Sequence, residues 1–205
     1  KAHQGRVSLL CWRQPRSMGR SKRHPQMRPS NRRKILDAAI RVINRDGVGA
    51  MTFESVAHES GVSRGGLLYH FPSREALVSG INEHMVVQWE EGLEALAGKT
   101  AEDATSLERY DAYVQGSNKG ATRAELQFML ASLPTDVNAA PWGEVLRRWA
   151  PPAPPRNSDV AADDRFIARL AADGLWIHET MSHGTQTKDL RAKVTRRLSE
   201  ILRST

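Results

Sequence analysis

From residue 35 onward, apolar side chains recur every three or four positions, the spacing that gathers them on one face of a helix. Ile35, Ala39, Val42 and Ile43, flanked by Leu36 and Ile40, predict a first helix over about 31–45. Two short elements follow, one carrying Val56 and Ala57 inward and one ending on Phe71. A much longer stripe then runs through Leu77, Ile81, Met85, Trp89, Leu93 and Leu96 and stops at Gly98-Lys99, predicting a helix over about 73–97. Leu107, Tyr110 and Val114 mark another, and Leu126, Met129, Leu130 and Leu133 the next. Pro141-Trp142 opens a segment with Trp142, Val145, Leu146 and Trp149 at helical spacing, closed by the stiff run Ala150-Pro151-Pro152-Ala153-Pro154-Pro155. A long helix over 159–181 carries Val160, Ile167, Leu170, Ala171, Leu175 and Ile177, with Gly174 interrupting it. The last, over 188–203, carries Leu190, Val194, Leu198, Ile201 and Leu202, with basic residues on its other face. The predicted fold class is all-α.

Two of these elements make a recognisable pair. Thr52 is a good N-cap with Glu54 in the first turn behind it, and Gly61 breaks the helix where a left-handed residue is needed. Val62 plugs the corner, and Ser63 caps a second short helix that begins Arg64-Gly65-Gly66. That is a helix-turn-helix, whose second helix can enter a major groove. Each of two consecutive glycines costs about 1 kcal/mol against alanine in a helix, so their presence points to close approach of another backbone, with DNA the natural partner. Tyr69 and His70 offer a phenol and an imidazole to phosphates, and Ser73 caps a third helix with Arg74 at its first position, placing a helix N-terminus and a cation together. Arg32, Arg33 and Lys34 crowd the N-terminal end of the first helix, where the dipole disfavours cations and an external anion would relieve them.

The stretch 31–77 is similar to the DNA-binding domain of the TetR family of transcriptional regulators. The likeness rests on Ile35-Leu36-Asp37-Ala38-Ala39, Gly47, Thr52, Gly61-Val62-Ser63, Tyr69-His70-Phe71 and Glu75-Ala76-Leu77. Leu68 stands where many members carry the first of two aromatics and cannot bond a phosphate; Arg74 stands where lysine is frequent, keeping the charge but changing the donor geometry. The resemblance implies a DNA-binding head over 31–77 and a helical effector-binding and dimerising domain over 78–205. The residues expected at DNA are Arg33, Lys34, Thr52, Ser63, Arg64, Gly65, Gly66, Tyr69, His70 and Arg74. The last two helices correspond in position to the family's dimerising pair, with Leu170, Leu175, Val194, Leu198 and Ile201 expected at the interface; Leu170 to Trp176, LAADGLW, resembles one C-terminal subgroup.

Charge adds one feature. The chain of 205 residues carries a net +7, yet residues 1–34 hold eleven Lys or Arg and no acid, leaving 19 basic against 23 acidic residues in the remainder. Basicity therefore belongs to one end, an arm over 1–30 suited to lying near nucleic acid. Rich in Pro, Ser, Gln and Gly and without helical periodicity, the arm is expected to be disordered when free. Met18 and Met27 both precede family-like starts, so a mis-assigned start is the competing account of it. The single cysteine, Cys11, excludes an intramolecular disulfide and fits a reducing cytoplasm; no run of 18 apolar residues suggests a membrane span.

Catalytic signatures are weak. His178-Glu179 with His183 is one residue too long for the zinc-protease spacing, so the imidazoles would diverge on the helix. No Walker loop, G-x-S-x-G or G-x-G-x-x-G is present. The chain is expected not to be an enzyme and to need no cofactor or metal. The function the resemblance implies is a homodimeric repressor released from a double-stranded operator by a small apolar or amphipathic ligand, with Trp89, Leu93, Met129, Trp142, Trp149 and Trp176 as candidate ligand contacts. The rivals are an effector-free or architectural DNA-binding protein, which would have a closed C-terminal core, and an adaptor, which would expose an apolar patch beyond the dimer face.

Overall fold

The computed structural model describes residues 30–132, 136–182 and 188–204. Residues 1–29 of the predicted arm, Cys11 among them, and likewise Leu133 and His183, lie outside the described residues. Among the described residues there is no strand. The helices are α1 (Asn31–Asp46), α2 (Phe53–Ser60), α3 (Arg64–His70), α4 (Arg74–Ala97), α5 (Ser106–Gly116), α6 (Arg123–Ser132), α7 (Asp136–Trp149), α8 (Val160–Ser182) and α9 (Lys188–Arg203).

Helix ends follow local chemistry. Ser30, Thr52, Ser63, Ser73 and Thr105 each accept a backbone N–H in the first turn of α1 to α5 respectively, satisfying donors that would otherwise be orphaned. Ser55 returns the bond to Thr52, so α2 opens with a reciprocal cap. Gly61 and Gly98 end α2 and α4 in the left-handed region, each at φ +68°.

Helix α7 begins earlier than the sequence pattern predicts. Its first residue is Asp136, so Pro141 lies inside the helix and not at its start. Pro141 cannot donate the fourth-residue hydrogen bond, and the apolar repeat that was legible belongs only to the part after it.

α1, α2 and α3 close around Ile35, Leu36, Ala39, Ile43, Val56, Leu67 and Phe71, and this core continues along α4 into the second half of the molecule. α4 lies very close to the head: a Cβ on Gly80 would fall 2.6 Å from the Phe71 ring and 3.4 Å from Leu36. Asp37 of α1 adds a polar tie, with its Oδ1 2.7 Å from His84 Nε2. On the outer side, Glu59 of α2 receives Arg41 and Arg45 of α1 at 2.8 and 3.0 Å, and those guanidinium groups hold its carboxyl below the usual carboxylate range.

α8 and α9 bury faces made only in part of their larger apolar residues. Ala168, Ala172 and Leu175 are buried on α8, while Val160, Ile167 and Leu170 are 75%, 55% and 54% exposed. On α9 the inward face includes Arg191, Thr195 and Ser199 beside Leu198 and Leu202. Arg191 is thus a correction to a purely outward basic face: its guanidinium donates to the carbonyl oxygens of Ser117 (2.7 Å) and Asn118 (3.0 Å), which offset its burial.

Candidate nucleic-acid interface and effector cavity

Helix α3 is two-faced. Leu67 and Phe71, four apart, enter the core, whereas Arg64, Gly65, Leu68 and Tyr69 form a continuous exposed face. Tyr69 is 84% exposed, with the His70 ring set edgewise to it at 5.2 Å. Arg64 Nη1 lies 2.6 Å from Glu54 Oε1 of α2, both side chains mostly in solvent. The two adjacent glycines separate in role. A Cβ on Gly66 would meet Val62 Cγ1 at 3.0 Å and Ser63 Oγ at 3.3 Å, so Gly66 is explained within the chain, by the turn and its cap. Gly65 faces open space, and only there does the expectation of an external backbone remain. Ser63 and Thr52 are exposed with their hydroxyls engaged as caps, His70 is half-buried, and Arg33, Lys34 and Arg74 are exposed at helix N-termini.

The second half of the molecule holds a cavity of about 710 Å³. Five of the six predicted ligand contacts line it: Trp89, Leu93, Met129, Trp142 and Trp176. Trp89 packs on Trp142 at 5.5 Å between centroids and edge-on to Tyr113 at 6.2 Å. The Trp142 indole N–H donates to Asn82 Oδ1 (2.8 Å), fixing that ring from behind. Trp149, the sixth, does not line the cavity. It is fully buried, and its indole N–H donates to Glu90 Oε1 (3.0 Å), where Arg148 also grips Glu90 with two bonds of 2.7 and 2.8 Å. That guanidinium, together with the indole, keeps the Glu90 carboxyl below its usual range against the effect of burial.

The cavity lining also holds a polar cluster absent from the sequence-based prediction. The Tyr113 hydroxyl donates to Asp173 Oδ1 (2.5 Å), and Arg169 Nε stands 3.8 Å from Asp173 Oδ2. Burial pushes the Asp173 carboxyl up despite both partners, and burial followed by the neighbouring carboxylate pushes the Tyr113 phenol up. The available signal was the i, i+4 pair Arg169 and Asp173 within an otherwise apolar stretch of α8. Of the residues predicted at a dimer interface, Leu170 is exposed and Val194 and Ile201 are half-buried, but Leu175 and Leu198 are turned into the chain's own core. Among the described residues no group of His, Cys, Asp or Glu is arranged to hold a metal ion, and no helix is long and apolar enough to cross a membrane.

Two family models match the chain. Residues 35–81 match the model described as bacterial regulatory proteins, tetR family, and residues 108–203 that described as tetracyclin repressor-like, C-terminal domain. A curated relative, the HTH-type transcriptional regulator BetI of Brucella anthropi, is 34% identical over 74 residues, which is 36% of this chain and 38% of that protein. The chain thus matches under two-fifths of that relative's length. Among solved structures, one from Rhodococcus sp. described as a TetR-family transcriptional regulator superposes with a TM-score of 0.57 at 17% identity, over 85% of this chain and all of that one. The multidrug binding protein EbrR complexed with malachite green gives 0.52 at 21% identity, over 83% of this chain and 98% of its own. A helix-turn-helix head and a C-terminal helical domain that each match their own model place the chain in the TetR family of bacterial regulatory proteins.

Proposed function

We propose that the protein is a homodimeric repressor that binds a double-stranded operator through α3 and is released by a small amphipathic ligand held in the cavity. The observation that carries this reading is the cavity of about 710 Å³, lined by Trp89, Trp142 and Trp176 together with polar side chains that include Glu125, Arg169 and Asp173. A ligand site has this character, largely apolar with sparse orienting groups; a DNA-binding protein without an effector has no need of one. Release needs modest energy. A hundredfold loss of operator affinity corresponds to about 2.7 kcal/mol of differential ligand binding between DNA-competent and DNA-incompetent dimers. One geometry that would achieve it is a dimer whose two copies of α3 no longer stand about 34 Å apart, one turn of duplex.

The test begins by selecting a duplex from random-sequence DNA with the full chain, then titrating it by fluorescence anisotropy with and without candidate ligands. Malachite green, the ligand in the EbrR complex, is a suitable first probe because tryptophan quenching reports its entry. Expected is a bound duplex that dissociates as the cavity fills. Failure to select any duplex overturns the regulator reading. A duplex indifferent to every compound that quenches the tryptophans overturns ligand control and leaves an effector-free regulator.

A further inference from the structure

We infer that Ile40 of α1 is itself a ligand contact and that Asn44, one turn further along α1, is the residue through which occupancy of the cavity reaches the DNA head, by holding the first turn of α6. The inference rests on the ligand-controlled reading above and specifies where its coupling lies. Ile40 belongs to a helix whose other large apolar residues close the head, yet it lines the cavity of the second domain. The head is therefore part of the cavity wall.

Asn44 supplies the link to α6. Its Oδ1 accepts the backbone N–H of Ala124 (2.8 Å), a residue with no exposed surface in the first turn of α6. The same turn is closed by a reciprocal cap: Thr122 N–H donates to Glu125 Oε2 (2.7 Å) and Glu125 N–H to Thr122 Oγ1 (3.2 Å). Thr122 and Glu125 both line the cavity. A second contact lies beside the first, since the Arg123 guanidinium covers Gly47 at the end of α1, 3.1 Å from where a Cβ would stand. A ligand that moves Thr122 or Glu125 must carry Asn44 along or strip Ala124 N–H of its acceptor. Leaving such a buried donor unsatisfied is costly, so a shift of the first turn of α6 is expected to carry Asn44 with it.

The chain just before α6 is tied elsewhere. Ala121 N–H donates to Trp176 O (2.7 Å) and Thr180 Oγ1 to Ala121 O (2.7 Å), both on α8. α6 therefore begins between α8 and the head. α4 also joins the two halves, but its junction is closely packed, with Gly80 against Phe71 and His84 beside Asp37. The α6 junction combines the N–H to amide bond, one guanidinium and the fully buried Ala124, and it is flanked by Thr122 and Glu125, which line the cavity as Gly80 and His84 do not.

Amide hydrogen exchange on the full chain tests this, with the neutral fluorophore N-phenyl-1-naphthylamine as probe. At about 100 times the probe's Kd, amides whose opening requires an empty cavity exchange up to about 100-fold more slowly. Expected in the wild type is slowing of about tenfold or more in the first turn of α6 and the last turn of α1 together. Asn44→Ala should bind the probe within about twofold of wild type and keep the α6 response while losing that of α1; Asn44→Asp, which retains the acceptor, should restore it. Ile40→Ala should weaken the probe several-fold. Arg123→Ala, at an exposed position, gives the same test of coupling should Asn44→Ala fail to fold, with a diminished α1 response expected. A wild-type α1 that ignores a bound probe, or an α1 response that survives Asn44→Ala or, where that variant does not fold, Arg123→Ala, overturns the inference while leaving the cavity reading intact. If neither this probe nor malachite green binds, the ligand-controlled reading itself fails.

Discussion

At the scale of single residues, Arg64 is the side chain on which sequence recognition should turn. It sits at the first position of α3, held 2.6 Å from Glu54, and both groups are solvated, so the pair orients the guanidinium at little energetic cost to its release. Arg64→Ala should cost about 1–3 kcal/mol at the preferred duplex and relax the choice at one or two base pairs. Tyr69→Phe, removing a hydroxyl from the most exposed ring of α3, should weaken all duplexes alike. Footprinting and competition with both variants decide it; a sequence-independent loss from Arg64→Ala would remove it as a base reader. The helix-turn-helix was legible because its caps, its left-handed Gly61 and its inward Phe71 are local features of neighbouring residues. The cavity was legible only in part. Tryptophans advertise bulk but not direction, so Trp149, a core peg bonded to Glu90, looked in the sequence like Trp142, which faces the cavity. Asp173 carried only its i, i+4 spacing from Arg169, and Tyr113 and Ile40 carried no signal, because their role arises from packing between distant helices.

At the scale of elements, the junction of α4 with the head depends on an absent side chain. Gly80 is buried, and a Cβ there would meet the Phe71 ring at 2.6 Å, well inside contact distance. Helix propensity favours Gly80→Ala by about 1 kcal/mol, whereas forcing an atom into a filled core costs about 1–3 kcal/mol; the second term should win because the buried Phe71 ring cannot swing aside as a flexible chain would. Thermal unfolding of Gly80→Ala should show a lowered midpoint, and an unchanged or raised one would mean that α4 can move off the head at no cost. This closeness could not be read from the stripe Leu77, Ile81, Met85, since amphipathic spacing locates a buried face but not its distance from the partner. The same limit explains α8. Its spacing did not tell which apolar residues pack within the chain: Ala168, Ala172 and Leu175 turn inward, while Val160, Ile167 and Leu170, the last expected at a dimer interface, stay outside.

At the scale of the whole molecule, that outward stripe and the buried leucines of the same helix pair make opposite predictions for one substitution. Leu170 is 54% exposed and Leu190 on α9 is 45% exposed, whereas Leu198 is 6% exposed within the protomer's core. A soluble protomer gains little from an apolar stripe of this kind, and a second copy related by a twofold axis would cover it with the same residues. Leu170→Glu should therefore place a charge in the interface and yield monomers whose helical content and unfolding midpoint differ little from those of the isolated wild-type protomer. Leu198→Glu buries the charge inside each protomer and should abolish cooperative unfolding before any question of association arises. Sedimentation velocity with circular dichroism on the two variants separates these outcomes. Monomeric, folded Leu170→Glu should also lose affinity for the selected duplex by orders of magnitude, because two half-sites then bind independently and the effective concentration supplied by the partner is gone. A dimer that persists in Leu170→Glu would move the interface off the exposed stripe of α8, and with it the geometry by which a ligand could alter the spacing of the two heads.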